Sequence, residues 1–279
     1  MSYKTILTVL TSADTKSSAL SEAAALACAQ DGHLEVLCLG LDQSHGSYYE
    51  LGTNPAVMQA AIEHAQNRAQ EVRDAVVPEL KKTDARWDAH TAVAAGNDAG
   101  HAVVASGRFA DIAVLPLPYH DGARPEESAV LEGLLIQAGC PVLVVPPGTS
   151  AGMTPERVVI GWNESPEALR AVRAALPVIK QAKEVHIAII DPPGHAPDRS
   201  DPGGSLAVWL SRHGVNCDIQ VMSASGERVS AKMARHITET GSELLVMGGY
   251  GHSRFREALL GGATRDTLAD SKVPVLMMH

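Results

Sequence analysis

The stretch Glu243-Leu-Leu-Val-Met-Gly-Gly-Tyr-Gly-His-Ser-Arg-Phe-Arg-Glu-Ala-Leu-Leu-Gly-Gly-Ala-Thr264 carries the strongest fold signal in the chain. Its apolar run, Leu244 to Met247, is short and bounded by Glu243 and Gly248-Gly249. That pattern predicts a buried strand ending in a glycine turn. Gly248 and Gly251 bracket a loop, and Gly261-Gly262-Ala263-Thr264 leads into an amphipathic segment predicted to be a helix from Thr264. A strand, a glycine loop and a helix start in succession suit an anion. Glycine permits positive φ and lets a ligand approach the main chain closely. Successive free N–H groups form a concave nest, and a helix start adds unpaired N–H groups and the positive end of its dipole. A phosphate group is the ligand favoured; a glycine-rich loop with no ligand is the alternative that two glycine pairs leave open.

Working outward, the chain repeats itself. Thr5-Ile-Leu-Thr-Val-Leu-Thr11 pairs with Arg157-Val-Val-Ile-Gly-Trp-Asn163, and Glu35-Val-Leu-Cys-Leu-Gly40 with Glu184-Val-His-Ile-Ala-Ile189. Ala110-Asp-Ile-Ala-Val-Leu-Pro116 pairs with Ser242-Glu-Leu-Leu-Val-Met-Gly248, and Cys140-Pro-Val-Leu-Val-Val145 with Val273-Pro-Val-Leu-Met-Met278. The order is the same along both halves, so a domain-sized unit of about 140 residues is duplicated. The join is the Pro/Gly/Ser/Thr-rich segment 146–155, giving expected domains 1–147 and 154–279. Strand patterns at 5–10, 34–39, 87–93, 112–115 and 142–145 alternate with helical periodicity at 17–29, 55–81, 98–106 and 126–137. The second half repeats the scheme, with Ser165-Pro166 as a helix cap and first turn. Such alternation predicts parallel sheets with helices on both faces, and continuous apolar strands agree.

Gly248-x-x-Gly251, then nine residues, then Gly261 and a small residue, resembles the nucleotide loop of the universal stress protein family. Met247-Gly248 before it and Val273-Pro274-Val275-Leu276 after it match as well. The resemblance covers nearly the whole chain, specifically in the second half and architecturally in the first. It implies an α/β fold: two tandem doubly wound, Rossmann-like parallel sheets of strand order 3-2-1-4-5. It also implies pairing through the fifth strands, so that Val142–Val145 meets Val275–Met278 in an intramolecular pseudo-dimer. The ligand implied is ATP or another adenine nucleotide, with Mg, and the role implied is cytoplasmic stress response without a settled catalytic activity. Whether two chains then associate is left open by the sequence, and apolar edge strands are compatible with a homodimer.

In an open parallel sheet the ligand crevice lies beyond the carboxyl ends of the strands, where strand order reverses. For the second half that crevice gathers Gly161, Trp162 and Asn163 from its first strand and Ile190 and Asp191 from its second. Met247, Gly248, Gly251, His252, Gly261, Gly262, Ala263 and Thr264 complete the expected nucleotide site. Two positions depart from the family. Gly262 stands where nucleotide-binding members usually have Ser or Thr, and Asn163 where they have a carboxylate toward the adenosine. Thr264 is the nearest replacement hydroxyl. Asp191 has two readings, a ribose contact or the cap of a Pro-Pro turn. In the first half Pro116 stands at the place of Gly248 and Tyr119 at that of Gly251, and Thr11 replaces the acidic position. Proline has no N–H and a fixed φ, so this copy reads as structural.

The remaining composition narrows the function. Net charge is −9 over 279 residues, which argues against the basic footprint of a nucleic-acid binder. No apolar run reaches membrane-spanning length, and the N-terminus is not a signal peptide. Aromatic residues are 4% of the chain, so the core must be aliphatic. Four scattered cysteines, Cys28, Cys38, Cys140 and Cys217, give no C-x-x-C spacing and are expected to be buried. No histidine spacing suggests zinc, no catalytic triad or dyad emerges, and the lysine-bearing phosphate loop is absent. Arg254, Arg256 and Arg265 flank the glycine loop as a cationic rim or as plain surface charge. The reading is a nucleotide-responsive regulator; a nucleotide-independent interaction module and a weak ATP hydrolase are the alternatives.

Overall fold

The computed structural model describes residues 2–13, 18–42, 55–95, 98–119, 123–149, 154–192, 201–250 and 262–279. In chain order the elements are β1 (Thr5–Leu10), α1 (Ser18–Ala29), β2 (His33–Asp42), α2 (Pro55–Leu80), β3 (Arg86–Ala95), α3 (Ala99–Ala102) and α4 (Val104–Gly107). Then follow β4 (Ile112–Pro116), α5 (Pro125–Glu132), a π-helical turn (Gly133–Ala138) and β5 (Val142–Val145). The second repeat holds β6 (Arg157–Gly161), α6 (Pro166–Ile179), β7 (Glu184–Ile190), α7 (Gly204–Arg212) and β8 (Asp218–Met222). It closes with α8 (Val229–Thr240), β9 (Leu244–Gly248), α9 (Gly262–Asp270) and β10 (Val275–Met278).

The chain divides into two compact units: Ser2–Pro118 with Gly122–Cys140, and Pro141–His279 with a short piece containing Tyr119. In the first unit the strands run β3-β2-β1-β4, all parallel. In the second they run β8-β7-β6-β9-β10, also parallel. This is the 3-2-1-4-5 order implied by the sequence, complete in the second copy. β5 adds to the second unit, antiparallel to β10, with Leu143 opposite Leu276. The fifth strands of the two repeats therefore pair as expected. Val142 to Val145 and Val275 to Met277 are fully buried, and each such aliphatic side chain contributes about 1.5–3 kcal/mol of burial.

The duplication extends to a polar detail. Asp111, just before β4, accepts the backbone N–H groups of Lys4 and Thr5 at 2.6 and 2.9 Å. Glu243, just before β9, accepts those of Glu156 and Arg157 at 2.5 and 3.4 Å. In each copy one carboxylate anchors the start of the first strand to the start of the fourth.

Several elements differ from the sequence-based expectation. The helix expected over 98–106 breaks into α3 and α4, and Asp98 makes no side-chain cap. The helix expected to Gln137 widens into the π turn at Gly133. The turn coincides with a backbone-to-backbone crossing: a Cβ on Gly133 would collide with the Gly100 carbonyl. Burial also corrects the cysteine expectation: Cys38 and Cys140 are buried, Cys217 is half-buried and Cys28 is exposed. Burial pushes the Cys38 thiol up to about 11 and the Cys140 thiol up to about 12. Because the thiolate is the reactive form, a thiol reagent at pH 8 is expected to label Cys28 rapidly and Cys38 and Cys140 only after unfolding. Mass mapping of the labelled peptides checks this; rapid native-state labelling of Cys140 contradicts it.

Candidate functional site

In the second unit β6 lies between β7 and β9, so successive connections leave it in opposite directions. Open parallel sheets place their ligand crevice at such a reversal, here the carboxyl ends of β6 and β9. Register brings the predicted residues Gly161 and Met247 side by side, and Gly161 pairs with Ala188 across the other edge. α6 starts at this end. The Ser165 hydroxyl accepts from Ala168 N–H at 3.1 Å, and Pro166 fills the first turn, as the sequence predicts. One residue of the glycine stretch is packed tightly against this turn. A Cβ on Gly248 would lie 2.6 Å from Ala168 N and 2.9 Å from Glu167 C. The glycine is thus needed for helix–strand approach.

The other predicted residues divide into engaged and open groups. Asn163 accepts the Ser165 N–H at 3.2 Å through its side-chain oxygen. Asp191, at φ 45, accepts the Ala224 N–H at 3.1 Å and so ties the end of β7 to the segment after β8. Trp162 donates its indole N–H to Pro202 O at 3.1 Å, and its backbone N–H to Ala188 O. Ile190 is half-buried and pairs with Met222. Gly249, which the sequence places in the glycine turn, donates its N–H to Met278 O at 2.9 Å, and its carbonyl lies 3.2 Å from His279 Nδ1. Its amide is already satisfied by β10.

The open group is at α9. This helix begins at Gly262, two residues before the expected Thr264. Gly262 and Ala263 are exposed in its first turn, and a Cβ on Gly262 would meet nothing within 4 Å. First-turn amides have no partner inside a helix. Thr264 faces inward with Leu268, the two buried residues of α9. Gly251, His252 and Gly261 lie outside the described residues.

Solved structures share this architecture. A universal stress protein from Archaeoglobus fulgidus DSM 4304 aligns with a TM-score of 0.69 at 17% identity, covering 98% of this chain and 97% of its own. The chain has the tandem universal-stress-protein fold. A protein of Pseudomonas aeruginosa UCBPP-PA14 assigned to the same family aligns at 0.60 and 15% identity, covering 99% of this chain and 93% of its own. A functionally unknown protein of Pseudomonas aeruginosa PAO1 matches at 0.60 and 14% identity over 99% and 92%. No protein-family model and no curated protein matches the sequence.

Within this universal-stress-protein fold the two copies treat the switch point differently. In the first repeat, Arg124 precedes α5 and donates to Thr11 O at 3.3 Å. It also pairs with Glu126 at 3.6 Å and Glu127 at 3.2 Å. Pro116 and this cluster of one arginine and two glutamates stand where the second repeat has Gly248 and the glycine segment. Each copy keeps a buried carboxylate oxygen without a hydrogen-bond partner, Glu127 Oε2 in the first repeat and Glu167 Oε2, beside Gly248, in the second. Sequence patterns hold no signal for Glu167 or for Tyr119, whose hydroxyl lies 3.3 Å from that of Tyr250. Both depend on contacts between distant segments. Among the described residues no three His, Cys, Asp or Glu side chains group to hold a metal ion, and no helix is long and apolar enough to cross a membrane.

Proposed function

We propose that the second repeat binds an adenine nucleotide, ATP or a close relative, at the carboxyl ends of β6 and β9. The protein then serves as a nucleotide-responsive regulator in stress response. The observation that carries this reading is the exposed first turn of α9. α9 follows the glycine-rich segment in the chain, and Gly262 and Ala263 at its start are exposed. Helix N-termini of this kind favour phosphate. Any magnesium would be held largely by the phosphates themselves.

The test is calorimetric titration of the full chain with ATP, ADP and AMP, on the wild type and on Gly262→Ser. The substitution has open space and a backbone that needs no glycine. It supplies the hydroxyl found in nucleotide-binding members of the family. Affinity is expected to rise roughly fivefold, about 1 kcal/mol for one hydrogen bond to a charged group in partial solvent. No binding heat from either protein ends the nucleotide reading. That outcome favours the interaction module, for which the satisfied Gly249 amide is the supporting observation.

A further inference from the structure

Tyr119 occupies, in the first repeat, the place that Gly251 holds in the second. It groups with Pro141–His279. Its hydroxyl lies 3.3 Å from the Tyr250 hydroxyl, and the guanidinium carbon of Arg265 lies 5.5 Å from its ring centroid. Tyr250 lies between Gly249 and Gly251 in the glycine-rich segment, and Arg265 is the fourth residue of α9, which follows that segment. One ring therefore contacts a residue early in the segment and a residue beyond its end.

We propose that Tyr119 is a positioning residue for Arg265, and that the guanidinium so placed recognises the polyphosphate of a nucleoside di- or triphosphate. This rests on the nucleotide reading given above. An exposed arginine samples many rotamers, and stacking on an aromatic face selects among them. Side chains on a helix lean toward its N-terminus, and Arg265 follows the first-turn residues Gly262 and Ala263 by three and two positions. The amides of those two residues suit one phosphate. A guanidinium fork beside them takes the oxygens of a second phosphate in a bidentate manner.

The ring is itself held. Tyr250 has φ 60, a left-handed backbone that a non-glycine residue keeps only where its surroundings over-determine it. Its neighbour Gly249 is tied through N–H and carbonyl to Met278 and His279. A chain of contacts thus runs from the end of β10 through Gly249, Tyr250 and Tyr119 to Arg265. The altered loop of the first repeat gains a purpose in this way, because the residue standing in place of a glycine there serves the second repeat.

Calorimetric titration of the full chain with ATP, ADP and AMP tests this on the wild type, Tyr119→Leu, Tyr119→Phe, Arg265→Gln and the Leu/Gln double variant. Tyr119→Leu is expected to weaken ATP and ADP about fivefold and leave AMP unchanged. Tyr119→Phe keeps the stacking ring and most of the affinity. Arg265→Gln loses the preference for ATP over AMP, and the double variant is no weaker than Arg265→Gln alone. Wild-type ATP affinity in Tyr119→Leu, or an equal loss for AMP and ATP, overturns the proposal while nucleotide binding stands. Should Tyr119→Leu not fold, an unchanged ATP-to-AMP ratio in the surface variant Arg265→Gln overturns it. A wild type that binds no nucleotide removes both this role and the reading beneath it.

Discussion

Replacing Gly248 by alanine is expected to cost about 1–3 kcal/mol of stability, the range for overpacking a filled interior, and to abolish nucleotide binding. The new Cβ would stand 2.6 Å from Ala168 N, 2.9 Å from Glu167 C and 3.0 Å from Glu167 Cβ. Two of these are backbone atoms and cannot swing aside as a side-chain tip would. Nor can α6 retreat easily. Its start is fixed by the Ser165 cap, and Ala168, Ala171, Val172, Ala175, Val178 and Ile179 are buried, with the helix packed on β9 and β10. Either α6 or the end of β9 must move, and both border the crevice. Urea denaturation reads the stability and calorimetry the binding. Gly262→Ser, where nothing lies within 4 Å, is the control and should stay within about 0.5 kcal/mol of wild type. An equally small change in Gly248→Ala would mean that the strand end and α6 separate freely, and the packing account of this glycine would be wrong.

Acid is expected to weaken the second unit through the buried His236, which packs against a second buried histidine. His186 on β7 and His236 on α8 are 9% and 3% exposed, with ring centroids 6.2 Å apart, edge to face. Both ring nitrogens of His186 and Nε2 of His236 are buried without hydrogen-bond partners. Burial, and then His186, hold the His236 pKa below its ordinary value of 6.5; Lys232 acts in the same direction and Glu239 opposes it. Glu184 Oε2, 3.9 Å from His186 Nε2, is the nearest carboxylate to that ring in an ion-pair geometry.

The sign follows from linkage. A histidine that is harder to protonate when folded binds its proton preferentially in the unfolded chain. Its contribution to stability is complete above the unfolded pKa, near 6.5, and is lost as pH falls toward the lowered folded value. One proton taken up on unfolding removes up to about 1.4 kcal/mol per pH unit. Thermal melts between pH 7.5 and 5 should therefore fall in Tm, and His236→Leu should flatten that slope while raising stability at neutral pH. A slope as steep in His236→Leu as in wild type would locate the acid sensitivity elsewhere.

Much of the scaffold could be read directly from residue patterns because its cause is local. Apolar runs such as Val142–Val145 bury on both faces, Ser165-Pro166 starts a helix, and the internal repeat fixes which elements correspond. Pro116 in the first copy shows the loss of the loop without any structure. The site was less legible. Gly248 looks like a residue for phosphate contact until Ala168 N is seen beside it. Asn163 and Asp191 have the chemistry of ligand contacts, yet each accepts from a backbone amide. The histidine pair and the Tyr119–Arg265 stack join residues far apart in the chain. No periodicity marks such contacts, since they depend on how separate elements dock.

The ladder between Leu143 and Leu276 also bears on where this polypeptide can be cut. A fragment begun in the Pro/Gly-rich join would leave β10 with bare N–H and C=O groups on one side and an apolar strip to offer to strangers. One begun at Pro141 would take β5 along and keep that side closed. The natural seam for dissection is therefore a strand upstream of the linker, and the tail of the first repeat acts as a cover that the second carries as its own.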